Sequence, residues 1–201
     1  MKTEYEWNSA EPAPNHTYLV PGVLRVLGAA NGRRVLDLGC GNGAIAQVLS
    51  SEGFSVVGLD RSISGIEHAH SSNDKLEFRK HSIDDPLPAD LGQFDVVLSC
   101  EVIEHLFLPR QLFARAREAM SDNGLLVVTT PYHGYLKNLG LAVTNSFDRH
   151  WSPGWDHGHV KFFSKRTLSR LAVEEGFTPD RWRLVGRIPP LACSMILTAR
   201  L

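Results

Sequence analysis

No uninterrupted apolar run in this sequence approaches the roughly 18 residues needed to cross a bilayer, which argues against a membrane-spanning helix. Cysteine is scarce. Cys40, Cys100 and Cys193 are scattered, odd in number and without a C-x-x-C pair, so neither a disulfide framework nor a zinc ribbon is indicated; they read as buried thiols in a reducing compartment. An excess of one charge is also missing: 21 Lys and Arg stand against 22 Asp and Glu, a formal net charge of -1, which lacks the electrostatic footprint of a nucleic-acid binder. With 43% hydrophobic and 21% charged residues the chain has the composition of a folded domain, not of a disordered one. The start, Met1-Lys2-Thr3-Glu4-Tyr5-Glu6, is polar and acidic where a secretory leader would be basic and then apolar, so the expected location is cytoplasmic. No internal repeat is visible.

From Arg34 to about Leu98, short β-like apolar runs alternate with helical stretches, the pattern of a parallel sheet with crossover helices. Expected strands are Arg34 to Cys40, Ser55 to Asp60, Lys75 to Lys80, Phe94 to Ser99 and Leu125 to Thr129, the last preceded by an Asn123-Gly124 turn. Expected helices run from Asn42, as a possible cap, to Gly53, from Ser62 to Ser71, from Pro109 to about Met120, and from the Ser164 cap to Gly176. Thr17 to Ala30 is expected as a helix before the sheet, and two apolar runs, Arg181 to Ile188 and Leu191 to Ala199, as a closing hairpin across Pro189-Pro190. The expectation is one domain over residues 1–201, with an N-terminal helical segment 1–32 and an irregular insertion 131–163. That insertion is rich in rings and imidazoles, among them Tyr132, His133, Trp151, Trp155, His157, His159 and Phe162, as suits a substrate lid.

Val35-Leu-Asp37-Leu-Gly39-Cys40-Gly41-Asn-Gly43 sets three alternate glycines where a strand turns into a helix, so that the backbone can approach a ligand closely. Asp60 ends the next strand, where an acidic side chain can accept both hydroxyls of a ribose. The spacing is G-x-G-x-G with Ala44 following Gly43, which departs from the dinucleotide fingerprint and argues against a dehydrogenase.

The run resembles motif I of the class I S-adenosylmethionine-dependent methyltransferases, and the likeness extends over nearly the whole chain. It implies an α/β Rossmann-like, doubly wound sheet of seven strands, mostly parallel with the last strand antiparallel and helices on both faces. It further implies that the Asp37–Gly43 turn, with Gly39, Cys40 and Gly41, receives the methionine part of the cofactor. Asp60 with Arg61 would meet the ribose, Ser82-Ile83-Asp84 would frame the adenine, and Cys100 with Glu101 would face the transferred methyl.

Glu101-Val-Ile-Glu104-His105 follows the fourth strand, where open α/β sheets bind their ligands. If helical from Glu101 onward, its two carboxylates and imidazole converge and can hold a divalent cation, Mg among others; without a cation, His105 can serve as a general base. The block resembles that of ubiquinone-biosynthesis O-methyltransferases, and of small-RNA 3′-terminal 2′-O-methyltransferases, whose further downstream histidine implies that His159 or His157 completes a ligand set here. The functional expectation is therefore S-adenosylmethionine-dependent O-methylation of a small aromatic or isoprenoid-like hydroxyl. RNA 2′-O-methylation and a non-catalytic S-adenosylmethionine-binding module are the alternatives.

Overall fold

The computed structural model describes residues 5–151, 153–189 and 191–201. Seven strands form one sheet: β1 (Arg34–Leu38), β2 (Ser55–Asp60), β3 (Glu77–Lys80), β4 (Phe94–Cys100), β5 (Met120–Pro131), β6 (Thr178–Val185) and β7 (Ser194–Arg200). Their order is β3-β2-β1-β4-β5-β7-β6. The first five pair in parallel and β7 runs antiparallel to both β5 and β6, as the sequence led us to expect.

Alternation along the strands splits the core into two layers. On one side, Val35 of β1 and Val96 of β4 pack with α1 (His16–Leu27), α2 (Ala44–Ser51) and α3 (Ile63–Ser72) through Leu19, Val23, Ile45, Leu49 and Ile66. Leu36, Leu38 and Val97 point the other way, onto α4 (Arg110–Ala119) and α7 (Lys165–Glu174), through Leu112, Phe113, Leu168 and Ala172. Phe113 and Phe177 are fully buried with ring centroids 5.7 Å apart, and each such side chain contributes about 1.5–3 kcal/mol by leaving water. Two caps form at Ser62, which accepts from the Gly65 amide, and at Ser164, which makes a reciprocal capping box with Thr167.

Several boundaries differ from expectation for local reasons. The second helix begins at Ala44 behind Gly43, whose φ of 75° only glycine adopts freely; Asn42 stands one residue before that position, its Oδ1 accepting from the Ala44 amide at 3.3 Å while its own amide donates to the carbonyls of Ser9 and Glu11. Asn123-Gly124 does not separate a helix from a strand. β5 already starts at Met120, opposite Phe94, and the next pairing is Val96 with Leu125, so residues 121–124 are looped out of the ladder as a bulge. The closing hairpin has a longer connection than expected, residues 186–193, with the Cys193 amide donating to Val185 O at its base; Pro190 of the expected turn lies outside the described residues. The insertion carries two helices, α5 (Tyr135–Val143) and α6 (Phe147–His150), neither of which buries a residue.

β1 and β4 are neighbours whose chain connections leave in opposite directions, β1 towards β2 and β4 towards β5. A crevice opens beyond the carboxyl ends of such strands because the two crossover helices diverge onto opposite faces. The turns after Leu38 and after Cys100 both lie at that crevice.

Candidate active site

A cleft of about 1490 Å³ occupies this position. It exceeds the roughly 300–1,000 Å³ that a single small ligand takes, leaving space for two. Its walls include Asp37, Gly39, Cys40, Gly41, Asp60, Arg61, Ser82, Ile83, Asp84 and Cys100 at one end, and Glu101, Glu104, His105, His157 and His159 at the other; of the rings and imidazoles expected in a lid, Trp155 joins them, whereas Tyr132, His133, Trp151 and Phe162 do not line it.

At the first end, Asp60 is anchored by backbone donors, Gly41 N to Oδ2 at 2.8 Å and Ser62 N to Oδ1 at 2.7 Å. Asp37 is 1% exposed and neither of its oxygens meets a hydrogen-bond donor among the described residues. Burial, with the neighbouring Asp60 charge, pushes its carboxyl up to about 7. A buried carboxylate without a donor is costly, and a cationic ligand group is what would relieve it. An adenosyl sulfonium carrying an ammonium therefore fits this end better than a pyrophosphate does.

The glycine turn has a second purpose that the sequence did not disclose. Gly39, Gly41 and Gly43 all have positive φ, and a side chain at each would strike the protein itself: Val102, the Trp7 ring, and Phe78 with Ala69 respectively. Trp7 belongs to an N-terminal strap. Trp7 N donates to Ser64 Oγ, Ser62 Oγ donates to Tyr5 O, and Trp7 O contacts His68 Nε2, so the strap lies across the cofactor turn. The Tyr5 ring then meets Trp155 and His157 edge-on, joining strap to insertion. No periodicity marks residues 5–13, so nothing in the sequence pointed to them. Cys40 and Cys100 are buried thiols whose pKa values burial raises well above the ordinary range, as inert packing groups require.

At the second end the expected continuous helix is absent. Glu101 has φ 54°, and only Ile103–His105 form a single 3₁₀ turn. This separates the three acidic-imidazole residues. Glu101 is gripped by β5 and β7: its amide donates to Thr129 Oγ1 (3.0 Å), while its carboxylate accepts from Thr129 Oγ1 (2.8 Å) and Ser194 Oγ (3.1 Å). Burial pushes its carboxyl up to about 7 against those two hydrogen bonds. Glu104 is 1% exposed with no hydrogen-bond donor on either oxygen among the described residues, and burial, followed by the Glu101 charge, drives it well above the usual range.

His105 Nδ1 faces two carbonyls, His157 O at 2.9 Å and Gly158 O at 3.2 Å. Carbonyls only accept, so the proton sits on Nδ1 and the Nε2 lone pair is left free. Desolvation lowers the His105 pKa despite those bonds, which keeps the ring neutral at pH 7. The amides of Val160 and Lys161 both donate to Glu104 O at 2.9 Å and so fix the insertion against the 3₁₀ turn. That register brings His159 to His105, with ring centroids 4.8 Å apart. One ligand atom each from Glu104, His105 and His159 lie within 4.8 Å of one another; Glu101 is outside the group, and His157 contributes its carbonyl to His105. Thr129 and Ser194, which hold Glu101, were missed by sequence reasoning, although hydroxyls inside otherwise apolar strands were a visible signal.

Comparison with known proteins agrees with this fold. A family model described as a methyltransferase domain matches residues 14–181. The chain is 31% identical over 156 residues to a ubiquinone biosynthesis O-methyltransferase of Bradyrhizobium diazoefficiens, covering 75% of this chain and 60% of that protein. It is 31% identical to the protein of the same name from Roseobacter denitrificans, covering 78% and 69%. The chain thus spans between three fifths and about two thirds of these relatives' lengths. Among solved structures, magnesium protoporphyrin IX methyltransferase from Synechocystis with bound SAH superposes with a TM-score of 0.69 at 21% identity, over 91% of this chain and 82% of that one. The glycine turn, the strand order and a family match over most of the sequence lead to one conclusion: the chain belongs to the methyltransferase domain family, of the class I S-adenosylmethionine-dependent type.

Proposed function

We propose that this chain methylates a hydroxyl of a small aromatic or isoprenoid-like acceptor with S-adenosylmethionine. The observation that carries the reading is the free Nε2 of a neutral, half-buried His105 beside the Glu104 carboxyl, in the same cleft as the Asp37–Asp60 end. In this reading Asp60 accepts the ribose hydroxyls, the Asp37–Gly43 turn receives the methionine part, and Ser82, Ile83 and Asp84 border the adenine. Arg61 flanks the ribose, and Cys40 and Cys100 supply apolar wall. The names of the Bradyrhizobium and Roseobacter relatives support an oxygen acceptor.

The sulfonium supplies an activated methyl carbon. The chain's residues provide the rest: orientation of the acceptor oxygen in line with that carbon, exclusion of water by strap and insertion, and removal of the hydroxyl proton. The oxygen forms its bond to the methyl carbon as the carbon–sulfur bond breaks, the electron pair leaves with sulfur, and the proton passes to His105 Nε2. A phenol of pKa about 10 is only about 0.1% ionised at pH 7, so a positioned acceptor for its proton has up to about 4 kcal/mol of barrier to lower.

Glu104, His105 and His159 also fit a divalent cation. The Glu104 oxygens lack donors, and His105 has its Nε2 lone pair free because the carbonyls fix its other nitrogen, the usual arrangement around a histidine ligand. A cation there would lower the hydroxyl pKa directly. Turnover of catechol by the full chain, followed by mass spectrometry of the methylated product with and without chelator, tests the reading. His105→Ala and Glu104→Gln are each expected to lose about 10²–10⁴ in kcat. Retained turnover in both variants would remove the block from the chemistry, and lack of affinity for S-adenosylmethionine would end the proposal. We place the activity in the cytoplasm; among the described residues no helix is long and apolar enough to cross a membrane.

A further inference from the structure

The acceptor end of the cleft holds two cations that the chemistry above does not use. Lys137 stands on α5, half-buried, between the exposed Tyr135 and Val143 of the same helix. Its Nζ donates to Tyr132 O at 3.2 Å, which fixes the ammonium and leaves two of its three N–H groups unspent. Arg187 reaches the same cleft from the β6–β7 connection. The two cations feel each other's charge, and Lys137 feels that of Glu101. Neither makes an ion pair with a carboxylate among the described residues. The Glu101 oxygens already accept from Thr129 and Ser194. Tyr18 lines the same cleft and lies within the field of Arg187.

Holding two like charges at one end of a partly desolvated cleft is unfavourable unless something negative is shared between them. Burial further penalises the Lys137 ammonium, lowering its pKa. Glu101, whose carboxyl burial raises, offsets the two cations only in part, so this end of the cleft keeps an excess of positive charge that suits an anionic group.

Building on the O-methylation reading, we propose that the acceptor carries a carboxylate, which Lys137 and Arg187 receive while the hydroxyl to be methylated lies towards His105. The substrate class is thus a hydroxylated aromatic acid. The carboxylate accepts from the ammonium and from the guanidinium fork, and Tyr18 closes the side next to Ser194. An acid held at one end of a flat ring directs the opposite edge into the cleft, so the same pair selects which hydroxyl is methylated.

Calorimetric titration of the full chain saturated with S-adenosylhomocysteine tests this, using 3,4-dihydroxybenzoate and its uncharged isostere 3,4-dihydroxybenzamide at low salt. The acid is expected to bind about tenfold or more tightly than the amide, since a charge-assisted hydrogen bond commonly contributes a factor of that size. Raising the salt should narrow the gap. Lys137→Met and Arg187→Gln, singly and together, should bring the acid-to-amide ratio towards one. Equal affinities in the unaltered protein, a preference undiminished in the double variant, or no binding of either compound to the loaded protein would each overturn the proposal. Failure to bind S-adenosylhomocysteine at all would instead overturn the methyltransfer reading on which it rests.

Discussion

The two ends of the cleft are built in different ways. The cofactor end is made of strand termini: Asp37 lies near the end of β1 and Asp60 at the end of the adjacent parallel β2, where the Gly41 and Ser62 amides hold it, so their placement follows from the sheet. The acceptor end is assembled from β4, β5, β7 and the insertion, whose α5 and α6 bury nothing. It stays in place through a few specific ties, chiefly the Val160 and Lys161 amides on Glu104 O, the Tyr132 amide on Cys193 O, and the Tyr5–Trp155 contact. A rigid seat for one constant ligand beside an adaptable wall for a variable one is the division that lets one architecture serve many acceptors. It also implies that damage at the first end is read in binding and damage at the second in turnover.

The largest effect separating the two ends is expected from Asp60→Ala. It removes the acceptor of two backbone N–H bonds and the proposed ribose partner, so the Kd for S-adenosylhomocysteine should rise about a hundredfold or more. A rise of less than threefold by calorimetry would erase the distinction between the ends.

A smaller, pH-dependent effect should follow from Asp37 and Glu101. Both carboxyls are raised to about 7 in the folded chain, so each favours the fold in its protonated form. That stability is fully present below the unfolded carboxyl pKa of about 4 and is lost as pH rises through about 7. The ligand-free chain should therefore melt at a lower temperature at pH 8 than at pH 6. If Asp37 receives a cationic group, S-adenosylmethionine should bind up to about tenfold more tightly per pH unit gained across that interval, and its stabilising effect on melting should be larger at pH 8. Asp37→Asn should flatten both trends; pH-independent binding in the unaltered protein would disconnect Asp37 from the ligand.

The smallest effect is expected on the outer face of α5. Tyr135 is 77% and Val143 78% exposed, so alanine at either should change folding stability by no more than about 0.5 kcal/mol in a denaturant titration. A loss above 2 kcal/mol would show that the acceptor wall is part of the core after all.

The same division governs what could be read from the sequence. Alternating apolar runs and the glycine turn mark local events, a strand and its exit, so β1 to β4, Asp37 and Asp60 were legible from neighbouring residues alone. The Glu101–His105 block was legible as chemistry but not as geometry. A helical period predicts convergence of Glu101 on His105, whereas a positive φ at Glu101, stabilised from β5 and β7, sends that carboxylate elsewhere. Choosing between His157 and His159 depended on which carbonyls the His105 ring would find, a contact across 52 residues. Lys137, Arg187 and the Trp7 strap carry no local signature, because their meaning comes wholly from what tertiary packing sets opposite them.

Glu101 sits in a left-handed backbone region that a residue with a side chain enters at a cost of about 1 kcal/mol or more. Glycine would relax there without penalty, alanine would not. Stability selection alone would thus drift this position towards glycine, and a chain that keeps glutamate there accepts poorer folding in exchange for an acid group. Any effort to thermostabilise the protein by relieving backbone tension would remove, at this one address, the carboxyl that ties β4 to Thr129 of β5 and Ser194 of β7.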